Sequence, residues 1–170
     1  SNSISERINL LNICSQIYFV SAWTEDKFFE GIDRNHYSNF KVIYPSINKN
    51  TKKNKKDKTI IFSGKLNSTK GFDKFGNAIT KILNKYKDWK SMAIGDEPRE
   101  KINIKHKNFF YTGWISHKKV LDIYSKSSIT VVPSYWEEPF GRSSLEAGSM
   151  GNAVIISKRG GLPETINRPI

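Results

Sequence analysis

From Lys58 onward the chain alternates between two hydrophobic periods, and that alternation restricts the folds open to it more than any other feature. Thr59-Ile60-Ile61-Phe62-Ser63 is a near-continuous apolar run, of the kind that fills a strand buried on both faces of a parallel sheet. After a turn from Gly64 to Gly71, apolar residues recur at helical spacing: Phe72, Phe75, Ile79, Ile82, Leu83 and Tyr86. The pattern then repeats. Strands are expected over residues 89–94, 108–112, 129–132 and 153–157, with helices from a Ser116 cap through Tyr124 and over residues 142–150. Strands alternating with helices imply an α/β fold with a parallel, doubly wound, Rossmann-like sheet. Right-handed crossovers place every strand-to-helix turn on one edge of such a sheet, where open α/β folds bind ligands.

The residues before this unit are organised differently. Residues 5–17 carry Ile8, Leu11 and Ile13 and read as a helix, and residues 17–20 as a short buried strand. Ser21 offers an N-cap, with Glu25 and Asp26 near the first turn of a second helix. Phe28, Phe29 and Ile32 would be the inner face of that helix, with Gly31 near its end, and residues 40–44 a second strand stopped by Pro45. Between the two parts lies K-N-T-K-K-N-K-K-D-K, residues 49–58, whose six lysines read as a solvated linker. The expected organisation is therefore residues 1–48 as the last elements of one domain, 49–58 as linker and 59–170 as a nucleotide-binding domain. Sheets of this class commonly add a sixth strand and a closing helix, so the second domain is expected to stop short of both.

Composition narrows the partners. In 170 residues, 28 Lys and Arg stand against 16 Asp and Glu, a net charge of +12. Such a chain suits nucleic acid, anionic lipid head groups or phosphorylated small molecules. Cys14 is the single cysteine, which excludes an intrachain disulfide and fits a reducing compartment. Among Leu10, Leu11, Ile13 and Ile17 it is expected to be a buried small hydrophobe. His36, His106 and His117 are scattered without cysteine partners at ligand spacing, which argues against a zinc site. No stretch reads as a signal peptide or approaches the length needed to span a bilayer. A cytoplasmic setting is expected, with peripheral contact at the inner face of the membrane left open.

Candidate chemistry gathers in two turns. Gly64-Lys65-Leu66-Asn67-Ser68-Thr69-Lys70-Gly71 succeeds the first strand of the regular unit, and its two lysines could reach one ligand. The turn after the fourth strand opens a helix at Gly141-Arg142, whose free N–H groups favour an anion. Two lysines and a helix N-terminus describe a phosphate site, though neither a Walker loop nor a G-x-G-x-x-G fingerprint is present. Two carboxylates, Glu138 and Glu146, flank the same strand-to-helix turn eight residues apart. Beside a phosphate site a carboxylate is electrostatically unfavourable unless it has a task, which singles out Glu138. Glu146 is either a surface glutamate of an amphipathic helix or an acceptor for sugar hydroxyls, as a carboxylate is for ribose in dinucleotide folds.

Taken in order, these motifs resemble one family. Gly64-Lys65-Leu66 with Lys70-Gly71, Gly95-Asp96-Glu97-Pro98, Tyr111-Thr112-Gly113-Trp114, Val132-Pro133-Ser134, Glu138-Pro139-Phe140-Gly141, Leu145-Glu146-Ala147 and Gly160-Gly161-Leu162-Pro163-Glu164 are similar in sequence and spacing to the retaining glycosyltransferases of the GT-B fold, family-4-like, in their C-terminal donor-binding domain. Val20-Ser21 and Val42-Ile43-Tyr44-Pro45 look like the end of that family's N-terminal domain and its crossing into the C-terminal one. The resemblance implies that Lys65, where the family often has arginine, and Lys70 neutralise a donor diphosphate. It also implies that Glu146 binds ribose hydroxyls and that Glu138 contacts the transferred sugar. Gly64 belongs to the phosphate turn, backbone N–H groups of Phe140, Gly141, Arg142 and Ser143 would hold the diphosphate and sugar, and Gly95-Asp96 and Gly113-Trp114 would flank the base.

The reaction implied by the resemblance is a hexosyl transfer with retention from a UDP- or GDP-linked sugar to a hydroxyl of a glycan or glycolipid acceptor, as in cell-surface polysaccharide or lipopolysaccharide synthesis. No cofactor or metal is expected, since lysines take the charge and no Asp-x-Asp motif appears. Nor is a nucleic-acid partner. A missing N-terminal domain would supply the acceptor site, so this stretch alone is expected to be inactive. The competing class is a non-catalytic basic module for nucleotides, nucleic acid or an anionic membrane, whose binding would fall steeply with salt. An epimerase or phosphorylase on the same fold finds no recognisable motif.

Overall fold

The computed structural model describes residues 3–47 and 54–166. It forms two compact units that meet in sequence at Ser46 and Ile47. The first contains α1 (Ile4–Ile13), β1 (Ile17–Phe19), α2 (Ala22–Phe29), a 3-10 turn at Arg34–His36 and β2 (Phe40–Val42). Ser21 caps α2 as expected: its side chain accepts from the Thr24 N–H, and Thr24 answers with a bond to the Ser21 N–H. The strands β1 and β2 pair in parallel, Ile17 opposite Phe40. Leu11, Phe19 and Phe29 form the core, joined by Phe28, Ile32 and Phe40. Cys14 departs from expectation. It is half-buried and forms the C-cap of α1, and its neighbour Ile13 is 68% exposed. The buried position of α1 is Leu11; Ile13, two residues on, rotates away from its stripe, and at Cys14 the backbone leaves the helix for an extended conformation.

The second unit holds β3 (Asp57–Ser63), α3 (Phe72–Lys85), β4 (Lys90–Ile94), β5 (Phe109–Gly113), α4 (His117–Lys126), β6 (Ser127–Val132), α5 (Arg142–Ser149) and β7 (Ala153–Ile156). All five strands are parallel, in the order β5-β4-β3-β6-β7. Strand alternation sends Ile60 and Phe62 to one face, with Phe72, Phe75, Ile79 and Leu83 of α3. It sends Ile61 to the other, with Tyr124 of α4 and Ala147 of α5. Helices thus cover both faces, and the α/β doubly wound class read from periodicity is what the chain adopts. From β3 the chain winds outward through β4 and β5, then returns to β6 beside β3. The order reverses between β3 and β6, the place where such sheets bind ligands.

Boundaries shift by a residue or two. Tyr86, expected on the inner face of α3, is its C-cap and 47% exposed, and β3 starts at Asp57 rather than Thr59. Of the lysine run, residues 49–53 lie outside the described residues. Lys56 is not a solvated lysine. Its Nζ donates to the carbonyls of Tyr124 (3.0 Å) and Met150 (2.5 Å), at the ends of α4 and α5, where a cation satisfies orphan carbonyls. Partial burial pushes its pKa down. Lys58, within β3, pairs with Asp88.

Candidate functional site

Two adjoining hollows open at the carboxyl ends of β3 and β6, and they share Ser63 and Gly64. The first, about 230 Å³, is walled by the β6 exit Val132-Pro133-Ser134, by Lys70 and Glu138, and by Gly141, Arg142 and Ser143 at the start of α5. The second, about 410 Å³, is lined by Lys65, Gly95, Trp114, His117 and Glu146 over an apolar floor of Ile94, Ile115 and Val120.

Backbone contacts fix the walls of the first hollow. The N–H groups of Tyr135 and Trp136 both donate to the Thr69 carbonyl, at 2.9 and 3.0 Å. Asn67 Oδ1 accepts from the Lys70 N–H at 3.0 Å and shapes the short turn that carries Lys70. Gly71 ends that turn at φ 73°, and a Cβ there would lie 2.1 Å from the Pro133 carbonyl oxygen. Only glycine lets the two loops close on each other. From the other side, the Gly161 N–H donates to the Glu138 carbonyl at 2.7 Å, and Arg159 and the Gly160 N–H both bind the Glu137 carboxylate. Gly160 sits at φ 55°, with Glu138 backbone atoms where a Cβ would go, the carbonyl oxygen at 2.1 Å. Glu138 is therefore clamped between two loops.

Its carboxylate forms an ion pair with Lys70, both side chains largely buried (15% and 29% exposed). The unfavourable charge expected of Glu138 is thus balanced within the turn. The helix α5 begins at Gly141 with no side chain capping it, and Ser144 Oγ turns back to the Gly141 carbonyl at 2.7 Å. With Gly141, Arg142 and Ser143 lining the hollow, the positive end of α5 is offered to an anion.

Glu146 is not a surface glutamate: the residue is 7% exposed. Its Oε1 lies 3.1 Å from His117 Nε2 and 3.4 Å from Arg142 Nη2. The imidazole comes from the first residue of α4 and the guanidinium from the first residue of α5. Reading the histidines only as metal ligands misses His117; its position just after the Ser116 cap, at a helix start on the ligand edge, is the signal that finds it.

The other expected site residues divide between the hollows. Gly64, Lys70, Glu138, Gly141, Arg142 and Ser143 meet in the first, and Gly64, Lys65, Gly95, Trp114 and Glu146 in the second. The two lysines flank Gly64 on different sides rather than converging in one hollow. Trp114 is 86% exposed. Three residues line neither hollow. Phe140 is buried, Gly113 accepts a backbone bond from the Gly95 N–H at 3.1 Å, and Asp96 borders a separate depression with Glu97 and Glu100. Glu97 braces the turn below: its carboxylate accepts from Arg99 Nε (2.7 Å) and Asn67 Nδ2 (3.2 Å), and the Arg99 guanidinium holds its pKa down at about 2. Among the described residues no three His, Cys, Asp or Glu side chains gather as a metal site would need.

A doubly wound sheet with cations and an uncapped helix end at its switch point defines an α/β domain suited to a phosphorylated ligand. The family model described as Glycosyl transferases group 1 matches residues 44–168, and the chain belongs to that family. It is 30% identical over 121 residues to an uncharacterized glycosyltransferase, MJ1607, of Methanocaldococcus jannaschii; the match spans 67% of this chain and 30% of that protein. The chain therefore spans about a third of the length of that relative. A glycosyltransferase from Rickettsia africae shares the fold with a TM-score of 0.76 at 21% identity, over 99% of this chain and 52% of that one. So does Alr3699/HepE of Anabaena, solved with UDP-glucose, with a TM-score of 0.72 at 17% identity, over 96% and 51%.

Proposed function

We propose that this chain is the donor-binding part of a retaining glycosyltransferase that moves a hexose from a nucleoside diphosphate to an acceptor hydroxyl. One observation carries the reading: the two hollows meet at Gly64 with the α5 end and Lys70 on one side and Lys65 and buried Glu146 on the other. A nucleoside diphosphate-sugar has the matching sequence of groups. The sugar would rest against Glu138, the diphosphate would cross Gly64 between Lys70, Lys65 and the α5 N–H groups, and ribose would reach Glu146. The base would lie along Gly95 and Trp114. Lys65, Lys70 and Arg142 set three cations against the carboxylates of Glu138 and Glu146, leaving the site positive where a diphosphate would sit. The Anabaena protein of the same fold is solved with UDP-glucose, which makes UDP the first probe and GDP the second.

In the transfer, the bond from the anomeric carbon to the leaving phosphate oxygen breaks, and negative charge grows on that phosphate. Lys65, Lys70 and the fixed α5 dipole stabilise that charge without reorganising, which is how preorganised donors lower a barrier. These groups do the charge work that a metal performs in other transferases. Glu138, paired with Lys70 and held through its backbone, orients the sugar; no nucleophile is assigned to it. A glycan or glycolipid acceptor, a surface-polysaccharide or lipopolysaccharide product and a companion domain that completes the cleft belong to the same proposal. So do the inactivity of this stretch by itself and a cytoplasmic setting with peripheral membrane contact. No helix among the described residues is long and apolar enough to cross a membrane.

Calorimetric titration with UDP and with GDP tests the reading. Expected is a micromolar-to-millimolar Kd for one of them, weakened about tenfold or more by Lys70→Ala, with modest salt dependence. Absence of binding to either by a folded sample would sink it. Binding that collapses as salt rises and ignores Glu146→Ala would favour a general polyanion-binding module instead.

A further inference from the structure

We propose that His117 is a positioning residue for Glu146, and that it sets the preference of the site for ribose over deoxyribose. The inference rests on the reading of Glu146 as the ribose acceptor. Both nitrogen-bearing partners of this carboxylate approach the same oxygen: His117 Nε2 and Arg142 Nη2 lie 3.1 and 3.4 Å from Oε1. No hydrogen bond to Oε2 forms among the described residues, although the residue is 7% exposed and lines the second hollow. Oε2 is not among the buried polar atoms left without a partner, so it is the carboxylate oxygen that the hollow can reach. Oε1 is thus the anchored oxygen and Oε2 the one left for a hydroxyl.

The two anchors differ in origin. Arg142 Nη2 donates a long hydrogen bond of 3.4 Å from the same helix as Glu146, four residues away, and His117 Nε2 makes a 3.1 Å ion-pair contact from a different helix. Both side chains are well exposed, 66% at Arg142 and 60% at His117, so what sets His117 apart is that it ties the carboxylate to a second element. His117 joins α4 to α5 and fixes the rotation of the carboxylate about its last bond. For this contact to be a hydrogen bond, Nε2 must carry a proton. The remaining charged group lining this hollow is Lys65, which is assigned to the diphosphate. Removing the imidazole would leave the carboxylate buried but free to turn, and the cost would fall on the hydroxyl contact, not on the phosphates.

The test compares UDP, 2′-deoxy-UDP and 3′-deoxy-UDP by calorimetry on the intact protein, with GDP and its deoxy forms if GDP binds better. Wild type should prefer the ribonucleotide to at least one deoxy form. His117→Ala should reduce that preference about tenfold, roughly what a hydrogen bond to a charged group contributes, while leaving affinity for the disfavoured deoxy form nearly unchanged. His117→Gln, which returns an N–H at similar reach, should recover most of the preference, and Glu146→Gln should remove it. Equal weakening of every nucleotide by His117→Ala, or an unchanged preference, would overturn the proposal. A readout that needs no ligand is the imidazole nitrogen NMR signal of His117, which should show a protonated Nε2 and shift on Glu146→Gln. A signal indifferent to that substitution would also overturn it. If wild type binds no nucleotide, the donor reading fails and this inference with it; if it binds all forms equally, only this inference fails.

Discussion

Glu138 and Lys70 neutralise each other before any ligand arrives, which explains how a carboxylate persists beside an anion site. The pairing has a consequence for binding. Lys70 must divide its charge between Glu138 and an incoming phosphate, so Glu138→Ala should release it. Affinity for UDP is then expected to rise by about two- to tenfold, whereas the gain from adding the sugar should disappear. Calorimetry with UDP and UDP-glucose measures both, and a variant that loses UDP binding outright would contradict this division of roles. Glu97 gives a prediction in pH. Arg99 holds its carboxylate at about 2 against an ordinary value of 4.5. A depressed pKa stabilises the fold fully above the unfolded value, and the contribution drains away as pH falls toward the folded one. Glu97→Gln should therefore melt below wild type at pH 7, with the gap closing between about pH 4.5 and about pH 2; a gap constant across that range would contradict the pairing. At this scale the two glutamates were legible as a pair, because they sit across one turn. The burial of Glu146 was not, since its partner His117 comes from another helix, and side-chain contacts between helices distant in sequence leave no local pattern.

At the scale of elements, loop-to-loop backbone contacts fix the walls of the first hollow. Turn 64–71, the β6 exit and the 159–161 loop touch through backbone atoms, and two glycines make the contact feasible. Gly71→Ala and Gly160→Ala each add a Cβ against a carbonyl oxygen at positive φ. Each should cost about 2 kcal/mol or more in denaturant unfolding, above the roughly 1–2 kcal/mol of the left-handed backbone alone. A loss under about 0.5 kcal/mol would show that the loops separate easily. The lysine segment offers a matched pair. Lys56→Met removes two bonds to the carbonyl ends of α4 and α5 and should destabilise by about 1 kcal/mol, whereas exposed Lys55→Met should stay within about 0.5 kcal/mol. Strand and helix periods exposed most elements in the sequence. Their ends moved where capping overrode periodicity, as at Tyr86, and Lys56 was hidden because a run of like charges looks uniformly solvated until one member finds acceptors.

For the molecule as a whole, alternating periods disclose a parallel, doubly wound sheet but not its strand order. The order β5-β4-β3-β6-β7 places the reversal between β3 and β6, and that reversal brings turn 64–71 beside the start of α5. Residues far apart in the chain become one site through topology, which short-range patterns cannot encode. Net charge has a different lesson. The excess of +12 invites a polyanion reading, yet Lys65, Lys70 and Lys56 each have a specific place. Raising salt from low to physiological levels should therefore weaken nucleotide binding only a few-fold, far less than the roughly 10³–10⁵-fold typical of multiple phosphate contacts to nucleic acid. The most direct measurement is a crystal structure with UDP or GDP bound. Expected is density for the diphosphate across Gly64 between Lys65, Lys70 and the N-terminus of α5, with a ribose hydroxyl on Glu146 Oε2. Nucleotide ordered anywhere else, or ribose turned away from Glu146, would contradict the donor-site reading.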